Sequence, residues 1–491
     1  MGELRNIAIR ADASDTIGSG HVMRCLSLAG GLAASGARVR FLCRDLPPQF
    51  MVQICAEGHQ VRLLRDVPES DESRDSEESI SALQEQSVDW MIVDHYGLGK
   101  RWEASLRKAV PKLMVIDDLA DREHDCDLLL DQNLRSGAEG LYRSLIPQTA
   151  RSLLGPRYAL LRPKFAQTSA RDRSGPVRRI LVFFGGADAS NQTVKAVRAI
   201  GLLALPEVSV DIVVGPMFRS TDELENLCSM IPHARILRDA DMAALMQGAD
   251  LAIGAGGTTS WERCAVGLPT LAWPIADNQT IVLAELSKAC AVYCPTLESL
   301  STPEGVAHHL YALIGNPALR SATASAARSL CDGQGVRRVV IAMQASGLAV
   351  GASTEGDSRL MYDWRNHVSV RAVSMHTDPI AWVDHMRWFE ASRDRADRVL
   401  LTGRVDDNPV GIVRFDRVTP DSAEVSIYLD PAKVGYGLGA ALLDAAEAWI
   451  SRHWPLQRIS ATVKAENIAS HHLFRNAGYR QVSSAYEKAF N

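Results

Sequence analysis

Ile17-Gly18-Ser19-Gly20-His21 decides the reading of the first part of this chain. An apolar run, Ile7-Ala8-Ile9, precedes it, and Val22, Cys25, Leu26, Ala29, Leu32 and Ala33 follow it at helical spacing. The pattern is strand, glycine turn, helix. Gly18 and Gly20 let the backbone approach a ligand closely, Ser19 lies between them, and the first N–H groups of a helix suit an anion such as a diphosphate. The positive end of the helix favours a neutral imidazole at His21, which is what a general base requires. Taken alone, a glycine turn after a strand is a weak signal, and a histidine at a helix start is more often a surface or capping residue. The rest of the chain gives it weight.

Working outward, short β-rich runs at 38–43, 60–64, 90–95, 112–118 and 128–131 alternate with helical patterns, which predicts a parallel sheet covered on both faces. Residues 68–79 are acidic and serine-rich and read as a solvated loop. Three strand ends carry polar residues: Asp12, Asp94-His95-Tyr96, and Asp117-Asp118 followed by Asp121-Arg122. Such carboxylates orient a base, hold sugar hydroxyls, or cap the next helix. A second alternating unit has strands at 180–184, 208–214, 234–237, 251–253 and 270–272. Its strongest stretch is Gly254-Ala255-Gly256-Gly257-Thr258-Thr259-Ser260-Trp261-Glu262, followed by Asn278-Gln279. Backbone N–H groups and hydroxyls there suit a diphosphate, and a carboxylate one turn on suits the two hydroxyls of a ribose. Two doubly wound domains in tandem, at 1–166 and 178–346, place a ligand cleft between them.

Residues 347–360, rich in glycine and small residues, read as a linker, and 361–491 change character. Segments 399–404, 410–416 and 424–429 alternate as an antiparallel meander. They lead to Gly435-Tyr436-Gly437-Leu438-Gly439 and an apolar helix, a second anion cradle.

With 491 residues the chain needs more than one core, and a net charge of −5 gives no general attraction to nucleic acid. Nine cysteines without metal-like spacing read as reduced thiols, and no dense ligand cluster calls for a metal. No apolar run has the length of a membrane span, so the expectation is a cytoplasmic protein; its oligomeric state is left open.

Residues 5 to about 345 resemble the UDP-2,4-diacetamido-2,4,6-trideoxy-β-L-altropyranose hydrolases of pseudaminic acid biosynthesis (the PseG type). The matching pieces are Arg10-Ala11-Asp12, residues 18–25, Asp94-His95-Tyr96, residues 115–122, Asp131-Gln132-Asn133 and residues 254–279. The resemblance implies an α/β fold with a GT-B-like pair of Rossmann-type domains and metal-independent release of UDP from a nucleotide sugar. It makes His21 the residue that activates water, puts Tyr96 and Asn278 in the sugar and diphosphate cleft, and puts Glu262 on the ribose. Asp12 is expected to orient His21 and Arg24 to hold the leaving diphosphate, with Gly256, Gly257, Thr258 and Gln279 completing the nucleotide site.

Residues 367–490 resemble the GCN5-related N-acetyltransferases (GNAT), on the glycine run, residues 463–470, Leu473-Phe474 and Ala477-Gly478-Tyr479. This implies an α+β domain using acetyl-CoA as cosubstrate, with Leu429, Gly435, Gly437, Leu438, Gly439 and Asn467 around it. Phe474 stands where many members have a tyrosine acid. Either Tyr428 or Tyr436 then serves as the acid or the thiolate takes its proton from solvent, and Glu424 is a candidate base. Together the two resemblances imply consecutive small-molecule steps: N-acetylation of UDP-4-amino-4,6-dideoxy-β-L-AltNAc, then hydrolysis of the diacetamido product. The alternatives are a GT-B glycosyltransferase, or a nucleotide-sugar binding module with a protein N-acetyltransferase attached.

Overall fold

The computed structural model describes residues 5–482, apart from 15–16, 66–67, 69–70, 85–86, 169–170, 187, 216–217, 239, 406, 435–437 and the side chains of Glu139, Asn278 and Asn476. It divides into two compact units, Leu4–Val339 and a second beginning at Val340.

The first unit holds two parallel sheets. One contains β1 (Asn6–Ala11), β2 (Arg38–Cys43), β3 (Gln60–Leu63), β4 (Trp90–Asp94), β5 (Leu113–Ile116), β6 (Leu128–Asp131) and β7 (Arg151–Leu154) in the order β3-β2-β1-β4-β5-β6-β7. Strands β4, β5 and β6 are buried along their whole length, as apolar runs in a sheet covered on both faces should be. The other sheet contains β8 (Arg179–Phe183), β9 (Ser209–Val213), β10 (Ala234–Leu237), β11 (Leu251–Gly254) and β12 (Thr270–Ala272), ordered β10-β9-β8-β11-β12. Strand order reverses between β1 and β4 and again between β8 and β11. Connections leaving on opposite faces open a crevice at the carboxyl ends of those strand pairs.

Two sequence expectations change. Residues 72–79 are not a loop, because a helix runs over Glu72–Leu83. Asp71 caps it by accepting the Arg74 N–H at 2.9 Å, and Glu72 and Asp75 occupy its positive first turn. Its buried face includes Asp75, Ser76 and Ser79, so hydrophobic periodicity does not reveal it. Asp75 is buried because it meets the guanidinium of Arg10 at 2.6 Å.

Nor are residues 347–360 a linker. Leu348–Ala352 form β13, the edge strand of a sheet with β14 (Arg398–Val405), β15 (Asn408–Thr419), β16 (Ser422–Leu429) and β17 (Arg458–Ser460). Leu348 and Val350 pack into the core under the helix Leu438–His453, and a Thr354–Asp357 capping box starts the turn that follows. Ala349 between those two apolar residues, with Gly347 and Gly351 on either side, disguises the alternation. Strands β13 to β16 are antiparallel, and β17 joins β16 in parallel over only three residues. Among the described residues no helix is long and apolar enough to cross a membrane.

Candidate active sites

The level ends of β1 and β4, with Ala11 opposite Asp94, determine what meets in the first crevice. Gly18 adopts φ +80°, and its N–H closes a turn on the Ser14 carbonyl at 2.8 Å. The helix Gly20–Ala34 then begins, with His21 as its second residue. Asp94, the last residue of β4, lies 2.6 Å from His21 Nδ1. Tyr96 sets its ring edge to face against the imidazole at 4.6 Å and is 40% exposed. A Cβ on Gly20 would lie 3.9 Å from Thr258 Oγ1, so the glycine turns of the two sheets share one cleft.

Arg24, one turn along from His21, is buried. It donates from Nε and Nη2 to the two oxygens of Asp94, each at 2.6 Å, and from Nη1 to Asp118 at 2.9 Å. Three of its five N–H donors go to carboxylates, so its first role here is to bind Asp94 and Asp118. Burial by itself would raise the Asp94 carboxyl, but the Arg24 guanidinium and the hydrogen bonds from Arg24 and His21 outweigh that and hold it well below the usual carboxylate range.

Asp12 does not orient His21. It is fully buried, pairs with Arg10 at 2.6 Å and accepts the N–H groups of Arg44 and Asp45 at 2.7 and 3.2 Å. His95 Nε2 approaches it at 3.4 Å. Asp12 therefore braces the ends of β1 and β2, and the carboxylate beside His21 is Asp94. Asp94 was visible in the sequence as a strand end, but only the adjacency of β4 to β1 singles it out.

In the second sheet's half of the cleft, Gln279 accepts the Gly256 and Ile275 N–H groups at 3.1 Å each, so its carbonyl ties two loops together. Thr258 precedes the helix Thr259–Ala265, with Gly257 before it. Glu262, on that helix, is 12% exposed and bonded to Arg162 Nη2 at 3.1 Å. Burial pushes its carboxyl up, partly offset by Arg162. Asn278 begins the helix Asn278–Lys288, and its side chain lies outside the described residues.

In the second unit, β16 pairs with β17 from Ser422 to Glu424, and Glu424 accepts from Thr462 Oγ1 at 2.6 Å. Leu429 ends β16, and Leu438 and Gly439 open the sixteen-residue helix Leu438–His453. Gly435 and Gly437 lie outside the described residues, as does Tyr436. A strand end followed by the free N–H groups of a long helix is a setting that fits the pyrophosphate of an acyl-CoA. Asn467 is the N-cap of Ile468–Asn476, accepting the Ser470 N–H at 3.1 Å, and its amide points to the Val373 carbonyl at 3.4 Å. Phe474 is buried in the core against Tyr479.

Tyr428 lies diagonally across the β15–β16 ladder from Arg414, and burial pushes its hydroxyl up, partly offset by Arg365 and Arg414. Arg365 donates to the His376 carbonyl at 3.1 Å, while its Nη1 is buried and finds no partner among the described residues. Burial lowers its pKa, Tyr428 works against that, and Arg414 and Arg371 lower it further, so positive charges gather here.

Comparison with known proteins agrees with the folds of the two units. Residues 361–479 match the Acetyltransferase (GNAT) family. An uncharacterized protein of Methanocaldococcus jannaschii is 24% identical over 98% of each chain. The UDP-2,4-diacetamido-2,4,6-trideoxy-beta-L-altropyranose hydrolase of Campylobacter jejuni is 28% identical over 38% of this chain and 62% of its own. Among solved structures, the glycosyltransferase of kitacinnamycin shares the fold at a TM-score of 0.50 and 16% identity, covering 70% of this chain and 99% of that one. The chain thus joins a GT-B-like pair of domains, homologous to a UDP-sugar hydrolase, to a C-terminal domain of the GNAT acetyltransferase family.

Proposed function

We propose that the protein carries out two consecutive steps on a UDP-linked amino sugar. The GNAT domain transfers an acetyl group from acetyl-CoA to the 4-amine of UDP-4-amino-4,6-dideoxy-β-L-AltNAc. The GT-B-like pair then hydrolyses UDP-2,4-diacetamido-2,4,6-trideoxy-β-L-altropyranose to the free sugar and UDP.

One observation carries the hydrolytic half: His21 stands in a cleft between two glycine turns, with Asp94 on one ring nitrogen. Water attacks the anomeric carbon and gives its proton to His21, while the bond from that carbon to the diphosphate oxygen breaks and UDP leaves with the electron pair. A diphosphate is a stable anion at neutral pH, so one base suffices. Thr258, Gly257 and the loop around Asn278 hold the diphosphate, Glu262 meets the ribose once Arg162 gives way, and Tyr96 lines the sugar. This reading needs no metal.

In the acetyltransferase half, the amine attacks the thioester carbonyl, the carbon–sulfur bond breaks and CoA leaves as the thiol. Leu429, Gly435, Gly437, Leu438 and Gly439 receive acetyl-CoA, with Glu424 and Tyr428 near the transfer. The unpartnered Nη1 of Arg365 beside Arg371 and Arg414 supports an acceptor bearing negative charge, as a nucleotide sugar does. Arg365→Ala should raise KM for the nucleotide sugar about tenfold, the worth of one charge-assisted hydrogen bond, and leave KM for acetyl-CoA unchanged. Equal KM values for parent and variant would remove Arg365 from the acceptor site.

The deciding experiment incubates the protein with the UDP-4-amino sugar, with and without acetyl-CoA, and follows UDP and sugar mass. UDP release that depends on acetyl-CoA and yields a free diacetamido sugar is the expected result. Release only after addition of a sugar or lipid acceptor would make the first unit a glycosyltransferase. Acetylation of peptides without any change in the nucleotide sugar would make the GNAT domain a protein acetyltransferase.

A further inference from the structure

We propose that Asp94 is the positioning residue for His21: it fixes the proton on Nδ1, leaves Nε2 bare to take a proton from water, and is itself held ionised by Arg24. The inference rests on the hydrolase reading for its kinetic consequence, but not for its structural content.

The contact of 2.6 Å between Nδ1 and Asp94 Oδ1 is the starting observation. Asp94 is 1% exposed and takes charge-assisted hydrogen bonds from Arg24 on both oxygens, so it is a carboxylate. Two lone pairs cannot face each other at that distance, so a proton lies between them and Nδ1 is the donor. Arg24 Nη2 carries two hydrogens: one goes to Asp94 Oδ1 at 2.6 Å, and against a protonated Nδ1 at 3.2 Å the other finds no acceptor, so that contact is a close approach. A neutral imidazole protonated at Nδ1 has its only lone pair on Nε2.

The surrounding groups hold this arrangement. Tyr96 packs its ring against the imidazole, Cys25 Sγ approaches Asp94 Oδ2 at 3.5 Å, and Asp118 ties the far side of Arg24. The carboxylate that orients the base thus carries a buried cation of its own, and that cation is anchored to a third strand end. Asp94 acts only through His21. Its removal should therefore change turnover and tautomer more than substrate affinity.

The test uses the full-length chain and the variant Asp94→Asn. Nitrogen-15 spectra of labelled histidine, with His21 assigned by its loss in His21→Ala, report the tautomer directly. The parent should show Nδ1 protonated and Nε2 bare at alkaline pH, and Asp94→Asn should lose that preference because an amide can donate as well as accept. UDP release from the diacetamido nucleotide sugar should fall about 10²–10⁴-fold in kcat, the range for losing a positioned base, with KM little changed.

Nε2 protonated in the parent would overturn the proposal, as would Asp94→Asn with the parent's kcat. If Asp94→Asn does not fold, the parent spectrum alone decides. A parent that hydrolyses no UDP-sugar yet shows the Nδ1 tautomer would defeat the hydrolase reading and leave this one standing.

Discussion

His21→Ala is expected to lower turnover of the diacetamido nucleotide sugar by about 10²–10⁴-fold, the usual contribution of a general base, with UDP affinity unchanged. The size of the effect follows from what remains in the cleft. Asp94 stays locked to Arg24, and burial and nearby Asp118 hold the Tyr96 hydroxyl above its ordinary range, too high to serve as a base. UDP affinity should persist because the nucleotide is assigned to Gly257, Thr258 and Glu262 on the second sheet. The fold should persist as well, since the ion pairs among Arg24, Asp94 and Asp118 do not pass through the imidazole. Steady-state UDP release gives kcat, and calorimetry of UDP binding gives Kd. Parent-like turnover would sink the mechanism, whereas a lost Kd would mean that His21 holds the nucleotide instead.

Arg10→Met is expected to destabilise the protein by about 3–5 kcal/mol, the cost of removing one partner from a buried ion network. Arg10 is fully buried and donates to Asp12 at 2.6 and 2.9 Å and to Asp75 at 2.6 Å. Without it, Asp75 keeps the Trp102 Nε1–H at 2.8 Å and the Ser79 hydroxyl at 3.3 Å, and no bonded cation. Asp12 keeps Arg44 at 4.0 Å and His95 at 3.4 Å.

The loss should depend on pH. In the parent, burial alone would raise the Asp12 carboxyl, but His95 and Arg10 hold it well below the usual range. Its stabilising contribution is therefore present above the ordinary carboxylate pKa and is lost only as pH falls through the depressed folded value. Without Arg10 that depression is reduced, the folded carboxyl binds a proton more readily than it does in the parent, and the variant's deficit shrinks as pH is lowered. Urea titrations at several pH values, followed by the transition that abolishes UDP binding, measure both statements. A midpoint equal to the parent's at neutral pH would show that the network adds nothing.

Much of the architecture could be read along the chain because it rests on local periodicity. Ile7-Ala8-Ile9 before Gly18 and Gly20, the buried runs of β4, β5 and β6, and the alternation in β14, β15 and β16 each encode their own element. The same reading failed wherever burial depends on a distant partner. Glu72–Leu83 looks solvated because the first turns of its inward face are an aspartate and two serines, and the partner of that buried aspartate is Arg10, 65 residues away from Asp75. Leu348–Ala352 looks like a linker because its small residues carry little signal until β14 supplies the ladder.

The site divides in the same way. By itself the sequence determined that a histidine opens a helix after a glycine turn, and that acidic residues end neighbouring strands. It could not tell which carboxylate meets the imidazole, since Asp12 is nine residues from His21 and Asp94 is 73. Tertiary structure decided that: parallel pairing of β1 with β4 brings their ends level, and the reversal of strand order there leaves room for His21 to face Asp94, while Asp12 pairs with Arg10.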